Sequence, residues 1–327
     1  MMNKRLKQGT TFLLALALAF PLLTLPGARA ANALDTDRKC SVAFNVSGEG
    51  NELTTTDIQV NLYKVADVDV SGNYTATKDF TGLDVSSVSA DDKDTAASKW
   101  ADRAKEAQEM LTKSVKKTAT VTLKAGTGSL ADLATGLYLV DTPEVVTTNY
   151  TYTFTPYLVS LPTNSYYSNG NDNWIYDLTA TNAIGLKHEE HARYGDLIIN
   201  KRLKNHNATT GKKATFVFQI EINKTETRIE SLDFEAAGDS SVTITKIPAG
   251  AKVKVTEVYS GASYKLTSAN DQTATIVATD RGSTNTPASV SFTNDVDDNM
   301  NGGYGVRNNF KLDENGQYQY TEPAAKN

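Results

Sequence analysis

Three runs of alternating apolar residues each end on a polar residue in the apolar phase, and this limits the fold more than any other feature of the chain. Gly195-Asp-Leu-Ile-Ile-Asn-Lys201 carries Leu197, Ile199 and Lys201 on one face; Val253-Lys-Val-Thr-Glu257 carries Val253, Val255 and Glu257; Val290-Ser-Phe-Thr-Asn294 carries Val290, Phe292 and Asn294. Period-two alternation predicts half-buried β-strands. A buried lysine or carboxylate is costly unless paired, so three such groups at core-facing positions call for a shared set of partners.

Two readings of that set fit the residues. In the first, Lys201 and Glu257 form an ordinary ion pair at a strand end while Asn294 caps a turn. In the second they react. An apolar site lowers the pKa of an amine and raises that of a carboxyl, so Lys201 becomes a neutral nucleophile while Glu257 retains a proton. Attack of Lys201 Nζ on the Asn294 side-chain carbonyl, with Glu257 polarising the carbonyl and shuttling protons, expels ammonia and leaves a Lys-Asn isopeptide bond.

The segments GDLIINK, VKVTEV followed by Tyr264, and VSFTND resemble the opening lysine strand, the glutamate-bearing E-box strand and the closing asparagine strand of CnaB-type pilin domains in Gram-positive surface proteins. The resemblance implies Lys201 as amine donor, Asn294 as acceptor and Glu257 as catalyst of isopeptide formation. The N-terminal half carries Val60-Asn-Leu-Tyr-Lys-Val-Ala-Asp-Val68, Gly136-Leu-Tyr-Leu-Val-Asp-Thr-Pro143, Tyr157-Leu-Val-Ser-Leu-Pro162 and Trp174-Ile-Tyr-Asp-Leu178, which are similar to N-terminal domains of SpaA-type pilins. There the same phase argument yields a second set. Lys64 follows Ile58, Val60 and Leu62; Asp141 follows Leu137 and Leu139, where the family's E-box has glutamate; Asn182 follows Tyr176, Leu178 and Ala180. Lys64 and Asn182 form a second cross-link pair with Asp141 as catalyst, or all three are solvated strand-end residues.

The expected fold is all-β: two Ig-like (CnaB/prealbumin-like) sandwiches in tandem, with one amphipathic helix inserted in the first. Alternating runs at Ile58 to Lys64, Tyr150 to Leu161, Phe216 to Ile222 and Val242 to Ile247 carry the strand reading. Asp94 to Thr112 departs from it, placing Trp100, Ala104, Ala107 and Leu111 on one helical face. Lys4, Arg5 and Lys7 ahead of an apolar run from Phe12 to Leu25 and the small-x-small Ala28-Arg29-Ala30 read as a secretory signal cleaved between Ala30 and Ala31. Its apolar part is too short for a membrane span, and no other span is expected. The domain plan is 1–30 signal peptide, 31–190 first sandwich, 191–298 isopeptide sandwich and 299–327 polar, mobile tail, with Leu186 to Arg193 as linker.

Signal removal takes Lys4, Arg5, Lys7 and Arg29 with it and moves the formal net charge from −5 to −9. Nucleic acid and anionic membrane are therefore not expected partners. The single Cys40 offers no intramolecular disulfide. His188 and His191 depart from the HExxH spacing, so no metal or other cofactor is expected. Without a phosphate loop or nucleophile elbow, the chain reads as no turnover enzyme.

The resemblance implies a structural or adhesive subunit of a Gram-positive cell-surface pilus or fimbria, secreted to the cell wall, with other pilin subunits and sortase as partners. The alternative is an adhesin that binds a host ligand without being polymerised. The Tyr-rich stretches Tyr150 to Tyr157 and Tyr166 to Trp174 are either its sticky surface or strand filling. Polymerising pilins carry WxxxVxVYPK here; Trp174 and Leu178 match, but Ala180 to Ala183 replace the rest, leaving only Lys187 nearby. No LPxTG-like signal occurs before Asn327, so sortase-linked homopolymers are not expected.

Overall fold

The computed structural model describes residues 33–46, 52–86, 93–164, 173–179, 183–210, 212–261, 263–280 and 282–297, together with the short strands Leu23–Thr24, Val88–Ser89, Asn309–Leu312 and Tyr318–Thr321. Ala30, Ala31 and Asn182 lie outside the described residues. The chain divides into two compact units, Met1–His191 and Ala192–Asn327. It is a β-protein throughout apart from one α-helix and short 3₁₀ turns among the described residues.

In the first unit, Ile58–Val68 pairs antiparallel with Gly136–Asp141, which pairs in turn with Tyr157–Leu161. A second sheet is built around Cys40–Asn45, antiparallel to Thr127–Leu133 and parallel to Asp177–Leu178 and Ile184–Gly185. Ile58, Val60, Leu62, Tyr138, Val140 and Val159 pack with Val42, Phe44 and Leu178 in one apolar cluster. The opposite residues of the first sheet, Tyr63, Val65, Leu137, Leu139 and Leu158, pack with Trp100, Ala104 and Ala107 of the helix Lys93–Glu109. The helix thus exists for the reason its periodicity implies: it covers a second apolar sheet face. Tyr150, Tyr152, Phe154 and Tyr157 join the first cluster, which makes that stretch strand filling.

Two expectations change. Leu186 to Arg193 is not a bare linker, because His188–Ala192 is a strand hydrogen-bonded into the sheet of Tyr150–Phe154 and Val145–Val146. An edge strand tolerates polar side chains on its solvent face, and this one keeps Glu189, Glu190 and His191 exposed. The tail is not uniformly irregular either: Asn309–Leu312 pairs antiparallel with Tyr318–Thr321, setting Phe310 opposite Tyr320 and Leu312 opposite Tyr318.

The second unit is a sandwich of two four-stranded sheets. One has the order Gly238–Pro248, Tyr194–Leu203, Ala288–Val296, Tyr264–Leu266; the other Glu226–Phe234, Ala214–Ile222, Lys252–Tyr259, Asp271–Thr275. Tyr194–Leu203, the lysine strand, runs parallel to Ala288–Val296, the asparagine strand, with Lys201 opposite Phe292 and Leu203 opposite Asn294. Lys252–Tyr259, the glutamate strand, pairs antiparallel with Ala214–Ile222 and sets Glu257 opposite Phe218. Leu197, Ile199, Phe216, Phe218, Ile220, Val253, Val255, Val290 and Phe292 fill the space between the sheets. Strict alternation holds because each sheet has one buried face: Ala214–Ile222 alternates buried and half-buried at every position.

The lysine strand enters the sandwich at Gly195, beside the segment after Asp271–Thr275. A Cβ there would sit 1.8 Å from the Val277 carbonyl oxygen, which is backbone and cannot swing aside. Gly195→Ala is therefore expected to destabilise the second unit by about 3 kcal/mol, the upper range for forcing atoms into a packed interior. Thermal unfolding of the whole chain checks this.

Candidate functional site

Lys201 and Asn294 come from neighbouring strands of one sheet and Glu257 from the facing sheet, so the three meet only when the sandwich is assembled. The side chains of Lys201 and Glu257 are both 0% exposed, and Asn294 is fully buried. Lys201 Nζ donates to Glu257 Oε2 and to Asn294 Oδ1. Asn294 Nδ2 donates to Glu257 Oε1 at 2.7 Å. Each polar atom of the set has a partner within it, which is what permits the burial.

The surroundings are aromatic. Lys201 Nζ lies 4.2 Å from the Phe216 ring centroid and 5.6 Å from that of Phe218, and Phe218 packs on Phe292 with centroids 5.1 Å apart. Burial pushes the Lys201 ammonium below the ordinary lysine range, while the hydrogen bond and charge of Glu257 act in the opposite direction. The amine is poised closer to neutrality than a solvated lysine.

The arrangement orders the reacting groups for acyl transfer. Lys201 Nζ is the nucleophile, the Asn294 side-chain carbonyl the electrophile, and Nδ2 the leaving group. Glu257 bridges nucleophile and leaving group, one oxygen to each. It touches the amide nitrogen rather than the carbonyl oxygen, so its position suits proton transfer from Nζ to Nδ2 instead of polarising the carbonyl.

Of the second set, Lys64 and Asp141 are not brought together, and Asn182 lies outside the described residues. Lys64 shares its face with Leu62 and with Tyr138 opposite it, whereas Asp141 lies opposite Asn61 on the other face. Lys64 Nζ pairs with Asp67 at 2.5 Å, and Asp141 accepts from Gln108 Nε2 of the helix at 2.6 Å. Alternation misled because this sheet is apolar on both faces, so a polar residue in phase with apolar ones has no unique inside. Lys187 is exposed.

Sequence reasoning also passed over groups that contact the site. Phe216 and Phe218 were legible only as strand residues, although their i, i+2 spacing already places both rings on one face. Asn270 Oδ1 accepts from the Glu257 backbone N–H at 3.1 Å; no periodic pattern marks a turn residue of this kind. Among the described residues no group of three or more His, Cys, Asp or Glu is placed to hold a metal ion, and no helix is long and apolar enough to cross a membrane.

A family model described as a domain of unknown function (DUF5979) matches residues 197–297, a span that contains Lys201, Glu257 and Asn294. No curated protein sequence matches the chain. Among solved structures, the chain is similar to the Bacillus anthracis TIE protein at 14% identity and a TM-score of 0.29, with 79% of this chain and 34% of that one covered. It is also similar to the Corynebacterium diphtheriae major pilin SpaA, at 16% identity and a TM-score of 0.29, with 66% and 62% covered. The full-length major pilin SpaD of the same organism is similar at 11% identity and a TM-score of 0.26, with 82% and 100% covered. The chain thus spans about a third of the length of the TIE protein and under two thirds of the SpaA chain. The fold rests on the strand pairing above, not on these low scores.

Proposed function

We propose that the second unit cross-links itself through an isopeptide bond between Lys201 and Asn294, and that the chain is a structural or adhesive subunit of a Gram-positive cell-surface pilus. The observation that carries the cross-link is the closed, buried triangle of amine, carboxylate and amide. Neutral Lys201 Nζ attacks Asn294 Cγ and the N–C bond forms. A proton passes from Nζ through Glu257 to Nδ2, the Cγ–Nδ2 bond breaks, and ammonia leaves. Amine plus primary amide gives secondary amide plus ammonia, with no other reactant. Because Lys201 and Glu257 exchange one proton between themselves, converting ion pair to neutral pair leaves the proton count unchanged. The rate in newly folded protein is accordingly expected to be flat around neutral pH; intact-mass time courses across pH measure it.

The proposed role follows from where the bond sits. It joins the first and last strands of the sandwich, which are parallel neighbours, so tension applied at the two ends of the unit passes through a covalent link and bypasses the hydrogen-bond ladders. A secreted chain whose one cysteine is buried and free gains in this way a staple that reductants cannot open. The pilus assignment itself is supported by the strand motifs of both halves. The direct test of the cross-link is peptide mapping, which should recover a branched fragment joining the Lys201 and Asn294 peptides. The pilus role is tested by incubating the chain with a sortase and a longer pilin from the same gene cluster: a mixed ladder that contains this chain, joined through an exposed amine such as Lys187, supports it, and no incorporation favours the adhesin that is not polymerised.

A further inference from the structure

The glutamate strand and the asparagine strand belong to different sheets, and apolar packing between sheets is non-directional. Something must fix the slide of one strand against the other to within a fraction of an ångström if Glu257 is to bridge Nζ and Nδ2. The segment 266–272 crosses from one sheet to the other, between Tyr264–Leu266, which pairs with the asparagine strand, and Asp271–Thr275, which pairs with the glutamate strand.

Its side chains make directional bonds to the reactive strands. Gln272 Oε1 accepts from Ser291 N at 3.0 Å, and Gln272 Nε2 donates to Ser291 O. One side-chain amide thereby satisfies both backbone groups of Ser291, as the peptide of an added strand would. Ser268 Oγ accepts from Thr293 N at 3.1 Å, and Thr267 donates to Thr293 O from its backbone N at 2.8 Å and its hydroxyl at 3.0 Å. Ser291 and Thr293 flank Phe292, and Thr293 immediately precedes Asn294. On the other strand, Asn270 Oδ1 takes the Glu257 backbone N–H at 3.1 Å.

We infer that the crossover 266–272 is a positioning clip for the cross-linking reaction, with Gln272 and Asn270 as positioning residues that hold the acceptor and the proton shuttle in register across the sandwich. The inference rests on the isopeptide reading. None of these side chains touches a reacting atom; they act on the backbones that carry Asn294 and Glu257. Misplacing a reacting pair by about an ångström costs on the order of a hundredfold in rate, so a partial loosening of these half-exposed links is expected to cost about tenfold.

The test follows newly synthesised full chain by intact mass in a translation pulse, scoring the growth of the ammonia-deficient species with time. Gln272→Ala and Asn270→Ala are expected to link about tenfold more slowly than the unmodified chain. Asn270→Asp, which keeps the acceptor oxygen, is expected to restore most of the rate. A parallel thermal unfolding of Gln272→Ala in an Asn294→Ala background, where no bond forms, should show little change in midpoint. Linking at the unmodified rate in both alanine variants overturns the clip. So does slowing that tracks a collapse of the folded population without rescue by Asn270→Asp, because that is a purely structural role. If Gln272→Ala fails to fold, the Asn270 pair decides alone. An unmodified chain that never loses ammonia removes the isopeptide reading, and the clip with it.

Discussion

An Asn294→Ala chain is expected to lose about 4 to 5 kcal/mol of stability in its second unit. Lys201 and Asn294 are 93 positions apart, and closing a loop of roughly that length in the denatured state contributes this amount on the chain-entropy account of cross-links. For a domain near 100 residues the loss corresponds to a fall in Tm on the order of 20 °C. The variant should still fold, because Lys201 keeps its partner Glu257 and only one amide leaves the core. Calorimetry on the full chain measures the shift. A Tm within a few degrees of the unmodified protein would mean that no covalent loop closes there.

Glu257→Gln is expected to be more damaging at neutral pH. Glutamine cannot carry the proton from Nζ to Nδ2, so the chain should retain its full mass. It also leaves a fully buried amine without its counter-charge, an arrangement that costs about 3 to 5 kcal/mol beyond the lost bond. The pH dependence then has a definite sign. Burial already holds the folded-state lysine below its ordinary value, and Glu257 is the group acting against that. With it gone, the folded pKa drops further beneath the unfolded value of about 10.4. Between the two values the unfolded chain binds more protons, so stability rises with pH across that window and the penalty disappears above it. Urea unfolding at about pH 7 and about pH 10 should show the variant more stable at the higher pH; stability falling over that interval would contradict the buried-amine account.

The site of the second unit was readable from the chain because its strands have one wet face each. In Val253-Lys-Val-Thr-Glu257 every second residue must point inward, so an in-phase glutamate is a core glutamate. The same rule failed for Lys64 and Asp141, where Leu62 and Val140 face one apolar cluster while Tyr63 and Leu139 face another. Period-two reasoning needs one polar face to define the other. His188–Ala192 was hidden for a different reason: an exposed edge strand carries no apolar signature, and only its pairing with Tyr150–Phe154 makes it a strand. Ser268, Asn270 and Gln272 were invisible because their contribution is to satisfy the backbone of strands elsewhere, and local sequence does not encode that geometry.

The joining of Lys201 and Asn294 into one amide is tested most directly by the intact mass of the purified, folded chain. With Cys40 reduced, the mass should lie one ammonia below that calculated for the purified polypeptide, and the deficit should vanish in both Asn294→Ala and Glu257→Gln. A folded chain at its full sequence mass, or a deficit that survives in Asn294→Ala, would contradict it.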